Sequence, residues 1–449
     1  MAAGGSVQWS TRFGFLMASV GFAVGLGNIW RFPYVTGENG GGAFVAVYLI
    51  CVATIALPIL MAELLIGRRG RMNPAGAMAA VAAAEGRSPR WGWVGGLNLA
   101  AAFVIEVVYC VVAGWVLHYL WQALITGFSG IGPAEATAQF GDLLGDLPTV
   151  LMWTLLALGV ATLIIYGGVR NGIERAVNLL MPFLFGLLLL LAVHNLLAGG
   201  FGEALGYLFA PDFSKVNGPM ILAAVGQAFF SVGVAMAGMM AFAAYLPKAA
   251  SIGRSAVAIV SVDTLVALVA GLVIFPAVFR FGMDPAAGAG LIFETLPVAF
   301  AQMAGGRWVA VLFFLLLSVA AVTSMVGLQE PLTAWVEQRF GIPRRRGTLL
   351  VTLSVGALSV VSMLSHSHWA EVRLFGASLA AAMDYLPNQI MLPLGGLLIA
   401  IFAAWFVRTD SARAELALAK PWHFRAWLAL TRFVAPPAVL LILLFGLWG

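Results

Sequence analysis

Eleven long apolar runs constrain the fold of this chain more than any other feature of its sequence. A helix needs about 20 mostly apolar residues to cross the hydrocarbon core of a bilayer. Only 10% of the 449 residues are charged, whereas soluble domains carry about 25%, so water cannot be the solvent for most of this surface. The sequence therefore predicts an all-α integral membrane protein. The predicted spans, numbered 1 to 11, cover residues 12–36, 42–66, 92–125, 149–166, 175–197, 219–246, 254–280, 308–335, 348–365, 385–407 and 427–448.

Basic residues lie mainly in alternate loops. The loops after spans 2, 4, 6, 8 and 10 are rich in Arg and Lys, whereas the loop with Glu135, Asp142 and Asp146 has no basic residue. The positive-inside rule then places the N-terminus in the cytoplasm, and eleven spans place the C-terminus outside. The net charge of +5 reflects this topology, so the expected partners are the lipid bilayer and a small solute rather than nucleic acid. We expect the inner membrane of a bacterial cell.

Signatures of several other protein classes are missing from the sequence. The first apolar run begins near Thr11 without a basic region or a cleavage site, so it is interpreted as a span rather than a signal peptide. Cys51 and Cys110 lie in apolar runs and are interpreted as buried apolar residues. The sequence has no zinc, Walker or dinucleotide motif and no nucleophile–base pair. We therefore expect no organic cofactor and no enzymatic activity.

Two spans contain runs of small residues that weaken a helix at mid-membrane depth. Span 1 has three glycines and an asparagine within residues 21–28, and span 6 has five Ser, Gly or Ala residues within 231–238. Backbone groups freed by a break must be satisfied inside the bilayer. Cations on the carbonyls and an anionic group at the helix N-termini would satisfy them. The alternative for span 1 alone is close helix packing through Gly21 and Gly25.

Polar side chains are concentrated near these two breaks. Carboxylates inside a membrane indicate a transport pathway or an ion site, and hydroxyl, amide and carboxylate oxygens suit a hard monovalent cation better than a transition metal. Two alternatives remain open: the Thr-Ser pair in span 8 can bond to its own backbone, and the Arg and Asp near the outer surface can be interfacial anchors. The polar positions are Asn28, Arg31, Glu63, Glu106, Tyr109, Gln227, Ser231, Asp263, Thr323, Ser324 and Asp384.

Several long motifs give the chain a family resemblance. The strongest are GFAVGLGNIWRFP at 21–33 and ENGGGAF at 38–44, followed by NGIER at 171–175, AVGQAFFS at 224–231, GLIFETLP at 290–297 and MDY at 383–385. Over nearly its whole length the chain resembles the neurotransmitter:sodium symporters, in particular their bacterial amino-acid branch. The resemblance implies about 11 transmembrane helices in a leucine-transporter-type 5+5 inverted repeat, with discontinuous helices 1 and 6. It also implies that a monomer suffices for transport.

The implied repeats have definite boundaries. The first covers residues 1–198 (spans 1–5), and the second covers 199–407 (spans 6–10) with an outer-loop helix at about 286–301. Residues 408–449 then hold a cytoplasmic loop and span 11.

The resemblance also implies two sodium sites, a substrate site and an outer gate. Sodium site one would use Ala23, Asn28, Ser231 and Asp263, and site two would use Gly21, Val24, Ala320, Thr323 and Ser324. The substrate would contact Ala23, Gly25, Leu26, Gly27, Ile105, Tyr109, Phe230, Ser231, Gly233, Met236, Ser324 and Leu328. The outer gate would consist of Tyr109 and Phe230 below an Arg31–Asp384 pair.

Three departures from the family pattern carry predictions of their own. Asp263 stands where the family often has Asn, so a carboxylate can replace the chloride that balances sodium charge in chloride-dependent members, and it can carry a proton on the empty return step. Ser6 and Gln338 stand where the family often has an inner ion pair, so we expect Trp9 to plug the inner path instead. Glu106 lies about 100° round the helix from Ile105, and either a partner in the bundle or a substrate amine could face it.

These observations together predict a sodium-coupled symporter that imports a neutral, hydrophobic L-amino acid by alternating access, independently of chloride. The apolar residues predicted to line the pocket favour that substrate. One alternative keeps the fold and replaces the substrate with an amine, a betaine or a sulfonate. A second alternative, a sensor or a channel, is disfavoured because two complete ion sites are expected only where ions are coupled to transport.

Overall fold

The computed structural model describes residues 8–286, 288, 290–374 and 376–448. Within these residues, ten spans meet the length and composition of a membrane helix, including span 1, whose two halves are bent by 48°. Span 6 falls below that length only because it is divided into two short helices. The spans are Arg12–Ala23 with Gly27–Glu38, Gly42–Gly70, Pro89–Ile125, Leu147–Tyr166, Val169–Ala198, Gly218–Val232 with Gly238–Ala244, Ile252–Arg280, Gly306–Phe340, Arg344–His366, Leu379–Phe406 and Pro421–Phe445.

Short helices occupy the loops between the spans. They are Pro74–Ala84, Pro133–Gly145, Phe201–Phe209, Leu291–Gln302 and Thr409–Leu416. The fourth of them is the outer-loop helix predicted at 286–301, which begins later than predicted; residues 287 and 289 lie outside the described residues. The one sheet of the described part is a hairpin in which Arg373–Leu374 pairs antiparallel with Ala377–Ser378.

Spans 3 and 8 form the centre of the bundle. Burial reaches 89% in the most apolar part of span 8 and 78% in that of span 3, compared with 28–44% in spans 4, 5, 9 and 11. Large apolar side chains of the outer spans point away from the protein: Leu163, Leu179, Leu197 and Leu353 are 74%, 72%, 82% and 68% exposed. Such a surface is stable only against hydrocarbon, as the sequence predicts.

Span 1 is broken over a shorter segment than the sequence suggests. Residues 21–23 remain helical, and only 24–26 separate Arg12–Ala23 from Gly27–Glu38. Val24 leaves the helical region with φ −75° and ψ 93°. The regular hydrogen-bond pattern of the helix is therefore interrupted at the point where the helix bends.

Span 6 is broken over residues 233–237. Gly233, Ala235 and Ala237 all have left-handed backbone conformations, with φ of 71°, 64° and 64°. The buried carboxylate of Glu63 accepts a hydrogen bond from the backbone N–H of Ala235 at 3.0 Å. An intramembrane carboxylate of span 2 thus provides a hydrogen-bond acceptor for one of the backbone N–H groups that the break exposes.

Charged residues fix the loops after spans 6 and 10 to the end of span 2. The Arg68 side chain is 5% exposed, and its Nε donates to Glu415 Oε1 at 2.5 Å. Its guanidinium also donates to the backbone oxygens of Ala250 and Glu415. Arg68 therefore joins span 2, the loop before span 7 and the helix Thr409–Leu416.

A second cluster of charged residues surrounds Glu85. This carboxylate accepts hydrogen bonds from Arg69 Nη2 at 2.6 Å and from the backbone N–H and Nε of Arg408 at 3.0 and 2.9 Å. Burial alone would raise the pKa of Glu85, but the hydrogen bonds from Arg408, Arg69 and Ser411 together outweigh it and lower the pKa to about 2. The ionised carboxylate therefore fastens the loop before span 3 to the loop after span 10.

Candidate functional site

A buried carboxylate lies between the two broken helices. Asp263 of span 7 is fully buried, and its Oδ2 accepts a hydrogen bond from Ser231 Oγ at 2.8 Å. Tyr48 Oη of span 2 donates to Ser231 Oγ at 3.2 Å. Ser231 stands at the C-terminal end of the first half of span 6, so the break brings a hydroxyl and a carboxylate together.

Asn28, at the break in span 1, completes this cluster. Its Nδ2 donates to Ser231 Oγ at 2.9 Å, to the Asp263 backbone oxygen at 3.0 Å and to Asp263 Oδ1 at 2.8 Å, and its Oδ1 accepts from the Gly25 N–H at 3.2 Å. The amide NH₂ carries partial positive charge and here occupies a place among oxygens that suits a cation. A cation would instead be bound by the Asn28 oxygen, and a rotation of the amide by about 180° would exchange the two atoms.

Span 8 brings two hydroxyls to the other side of span 1. Ser324 Oγ donates to the carbonyls of Gly21 and Phe22 at 3.5 and 3.3 Å, which joins the two spans. Thr323 Oγ1 instead donates to the carbonyls of Val319 and Ala320 within its own helix, at 3.0 and 3.1 Å. Hydrogen bonding to the residue's own helix, the alternative interpretation of the Thr-Ser pair, thus applies to Thr323 in this conformation but not to Ser324.

A small cavity separates the two clusters. Its volume is about 20 Å³, which is room for roughly one water molecule, so an amino acid can enter only if the walls move. The lining residues are Phe22, Ala23, Gly25, Gly27, Ile105, Tyr109, Phe230, Gly233, Met236, Ser324 and Leu328. Two predicted substrate contacts lie elsewhere: Leu26 faces the outer vestibule, and Ser231 belongs to the Asp263 cluster.

Glycines at the break allow close approach to the cavity walls. A Cβ on Gly25 would lie 2.3 Å from Ser324 Oγ and 2.8 Å from the Tyr109 hydroxyl, and one on Gly27 would lie 2.8 Å from Phe230 Cδ1. The Leu26 N–H donates to the Tyr109 hydroxyl at 3.1 Å. The Leu26 backbone and the Tyr109 phenol thus stand together among the residues that the resemblance assigns to the substrate site.

The outer vestibule above the cavity has a volume of about 130 Å³ and is lined by both members of the predicted outer pair. Arg31 and Asp384 are nevertheless not among the ion pairs of the described residues. The Arg31 guanidinium lies 4.6 Å from the centre of the Phe230 ring, and Asp384 Oδ1 accepts from Asn388 Nδ2 at 2.8 Å. The Arg31–Asp384 pair is therefore not formed in this conformation, in which Arg31 contacts an aromatic ring and Asp384 accepts a hydrogen bond. The outer gate remains a prediction.

The N-terminal end of span 1 is closed around Trp9. This side chain is 2% exposed, and its Nε1 donates to the Phe242 carbonyl at 2.9 Å. Its ring meets the Phe242 and Tyr245 rings edge-on at 5.6 and 6.2 Å. The position of Trp9 agrees with the predicted inner plug, whereas Ser6, at one of the two missing ion-pair positions, lies outside the described residues.

Other polar groups stand near that plug. The buried carboxylate of Glu330 accepts from the Tyr245 hydroxyl at 3.0 Å and pairs with Arg344. Gln338 Oε1 accepts from the backbone N–H and Nδ2 of Asn73 at 2.7 and 2.8 Å. Sequence reasoning missed Glu330, although a carboxylate near the end of an apolar span was a visible signal.

Glu106 points away from the cavity. Gln329 Nε2 of span 8 donates to Glu106 Oε1 at 2.6 Å, and the Glu106 side chain is fully buried. Glu106 is also absent from the residues that line the cavity. The partner within the bundle is therefore the better of the two interpretations that the sequence left open.

Three side chains of the site were not predicted. Phe22 lines the cavity, Tyr48 hydrogen-bonds to Ser231, and Gln227, named only as an intramembrane polar residue, donates through Nε2 to the Gly27 carbonyl at 2.9 Å. A tyrosine and a glutamine within apolar spans are signals that could have found the last two. No sequence signal distinguishes Phe22 from other buried aromatic residues.

The chain is similar to known proteins over nearly its whole length. The sequence model described as the sodium:neurotransmitter symporter family matches residues 6–129 and 138–448. The chain is 33% identical over 443 residues to the uncharacterized sodium-dependent transporter YhdH of Bacillus subtilis, covering 98% of this chain and 97% of that protein. It is also 33% identical over 449 residues to an uncharacterized sodium-dependent transporter of Haemophilus influenzae, covering 98% of each.

A solved structure shares the fold. The crystal structure of MhsT in complex with L-phenylalanine matches with a TM-score of 0.91 and 37% identity, over 98% of this chain and 100% of that chain. These matches confirm the predicted multi-pass helical architecture with its two discontinuous spans.

Proposed function

The chain belongs to the sodium:neurotransmitter symporter family, and we propose that it imports a neutral, hydrophobic L-amino acid together with sodium and independently of chloride. It is a sodium-dependent membrane symporter of that family. The observation that carries the proposal is the Asn28–Ser231–Asp263 cluster beside an apolar cavity. The proposed orientation has a cytoplasmic N-terminus, and one chain is sufficient for transport.

Two sodium ions bind at the two breaks. At site one, the fixed negative charge of Asp263 joins the oxygens of Asn28, Ser231 and the Ala23 backbone. At site two, the hydroxyls of Thr323 and Ser324 join backbone carbonyls of spans 1 and 8. The Ser324 contacts to Gly21 and Phe22 support this arrangement, since they bring span 8 within reach of the span 1 carbonyls. Such hard oxygen donors suit sodium.

Chloride independence follows from the charge balance of site one. A sodium ion in a site of low dielectric needs a compensating negative charge nearby. Asp263 supplies that charge from within the protein and is fully buried next to Asn28 and Ser231. A soluble anion is then unnecessary.

The substrate lies between the breaks. Its carboxylate meets the backbone of 25–27 and the Tyr109 hydroxyl, while its side chain faces Ile105, Met236 and Leu328. The apolar lining of the cavity and the bound L-phenylalanine of the related MhsT structure support this choice. The substrate carboxylate also completes sodium site one, so sodium and substrate each raise the affinity of the other.

The direct test is uptake into proteoliposomes that hold the purified protein. An inward sodium gradient is imposed with gluconate as the anion, the common amino acids are supplied as a labelled mixture, and potassium gluconate is the control. We expect sodium-dependent accumulation of hydrophobic amino acids that chloride does not increase. Accumulation only when chloride is added would refute the chloride proposal, and accumulation of none of these amino acids would refute the substrate class.

A substitution at Asp263 tests the charge argument separately. Asp263→Asn removes the fixed charge, so uptake in chloride-free buffer should fall by at least tenfold and recover in part when chloride is added. Asp284→Asn, in an outer loop, is the matched control and should leave uptake unchanged. Normal uptake by Asp263→Asn without chloride would show that the carboxylate does not balance the sodium charge.

The alternative keeps the transport fold and replaces the substrate with an amine, a betaine or a sulfonate. An amine without a carboxylate would need a carboxylate of the protein in the cavity. Glu106 is the nearest candidate in sequence, but it faces Gln329. That contact favours the amino acid over the amine.

A further inference from the structure

A long groove opens on the lipid-facing side of the protein near the basic loops. Its volume is about 720 Å³, and it lies between spans 2, 7 and 11 and the segment that leads into span 11. It is separate from the transport path, since no residue of the cavity or the outer vestibule lines it. The lining residues are Ala53, Leu57, Pro58, Met61, Ser251, Gly253, Arg254, Val257, Ala258, Ala417, Leu418, Ala419, Trp422, His423, Ala426, Trp427 and Leu430.

One end of the groove is basic and the rest is apolar. Arg254 is exposed and His423 is half-buried, and both belong to the first turn of a long helix. None of the lining residues is acidic. The nearest carboxylate along the chain, Glu415, is already paired with Arg68 at 2.5 Å. An anion at this end would therefore meet positive charge that has not been neutralised locally.

The apolar part of the groove is held open by fixed side chains. Trp427 Nε1 donates to the Pro58 carbonyl at 3.0 Å, which locks the indole against span 2. Gly253 leaves room for Leu418, since a Cβ there would lie 2.3 Å from Leu418 Cδ2. Val257 is 50% exposed along the same wall. Such a preformed apolar surface on a membrane protein contacts lipid chains.

We propose that this groove binds an anionic phospholipid, with the phosphate between Arg254 and His423 and an acyl chain along Met61, Val257 and Trp427. Basic pockets between membrane helices on the cytoplasmic side favour anionic headgroups. A zwitterionic lipid would satisfy the apolar wall equally well but would bring its own positive charge to the basic end. A free phosphate would leave the apolar wall unoccupied.

The first arm of the test uses the wild-type protein in detergent. Thermal unfolding and native mass spectrometry are measured with phosphatidylglycerol, with phosphatidylcholine of the same acyl chains, and with inorganic phosphate. Phosphatidylglycerol should be retained at least tenfold more than phosphatidylcholine and should raise Tm, whereas phosphate should not. Equal retention of the two lipids, or full stabilisation by phosphate alone, would overturn the proposal.

The second arm separates the headgroup from the acyl chain. Arg254→Gln with His423→Gln should abolish the preference for phosphatidylglycerol. Arg345→Gln with Arg346→Gln, which removes two exposed cytoplasmic charges outside the groove, should keep it. A preference that survives in the first pair, or disappears equally in the second, would refute the assignment to this groove.

The third arm fills the apolar wall. Ala426 lines the groove and Ala429, on the same helix, is exposed and outside it. Ala426→Phe should reduce retention of phosphatidylglycerol at least tenfold although both basic residues remain, and Ala429→Phe should not. Full retention in Ala426→Phe would show that the acyl chain does not lie there. If any variant unfolds without lipid, the wild-type comparison still decides the proposal.

Discussion

Removing the ring of Trp9 should shift the transporter towards an inward-open state. Trp9 joins the start of span 1 to the end of span 6 through one hydrogen bond to the Phe242 carbonyl and two edge-on ring contacts, with Phe242 and Tyr245. A buried hydrogen bond contributes about 1 kcal/mol, and each aromatic pair contributes about 1 kcal/mol. Trp9→Ala therefore removes about 3 kcal/mol of interaction free energy, which stabilises the protein only while the inner side is closed.

That energy is comparable to the difference in free energy between two states of a transporter. Conformations of one protein commonly differ by a few kcal/mol, and about 3 kcal/mol changes the ratio of two states by roughly 100-fold. The inward-open state should then become abundant without substrate, and the apparent affinity for external sodium should fall.

Hydrogen exchange is the most direct assay. In Trp9→Ala, backbone amides in the first half of span 1 and in Gly238–Ala244 should exchange at least tenfold faster than in the wild type. Trp93→Ala is the matched control, because Trp93 is 55% exposed and its loss should leave both segments unchanged. Wild-type exchange in both segments of Trp9→Ala would refute the idea that Trp9 holds the inner side closed.

Three further predictions rest on the described geometry. Gly233→Ala should lower Tm markedly, since φ is 71° and the new Cβ would lie 2.9 Å from a phenylalanine ring, whereas Gly226→Ala, with open space around it, should not. The pKa of Glu85 is lowered from 4.5 to about 2, so its contribution to stability is complete above pH 4.5 and is lost as the pH falls from there towards 2. Glu85→Gln should lack this loss in Tm measurements between pH 6 and 3. Glu106→Gln should keep amino-acid uptake within about threefold of wild type. Abolished uptake would favour the interpretation in which Glu106 contacts the amine of the substrate.

Much of the architecture could be predicted because membrane helices leave strong signals. Apolar length located the spans, and the two breaks were located by the glycines of span 1 and the small residues of span 6. The extent of each break could not be predicted, since Ala235 and Ala237 adopt left-handed conformations that their side chains do not favour. The carboxylate of Glu63 stabilises that segment through a contact from span 2. The sequence of span 6 alone does not reveal this contact.

The candidate site was partly accessible from sequence for a similar reason. Residue identity located Asn28, Ser231 and Asp263, which the fold brings within hydrogen-bonding distance. Sequence could not determine which atom of the Asn28 amide faces the cluster, because that depends on which partner is present. It also could not determine that Arg31 contacts Phe230 in place of Asp384, because the long side chain of an arginine has several partners within reach.

The lengths of spans 3 and 8 have a mechanical consequence. At 37 and 35 residues, these helices are more than 50 Å long at about 1.5 Å per residue, so they extend beyond a hydrocarbon core of about 30 Å. Spans 3 and 8 are continuous helices that resist bending over the full thickness of the membrane. Residues 24–26 and 233–237 interrupt their helices and act as hinges. The conformational change of a transport cycle is therefore concentrated in these eight residues, which lie beside spans 3 and 8.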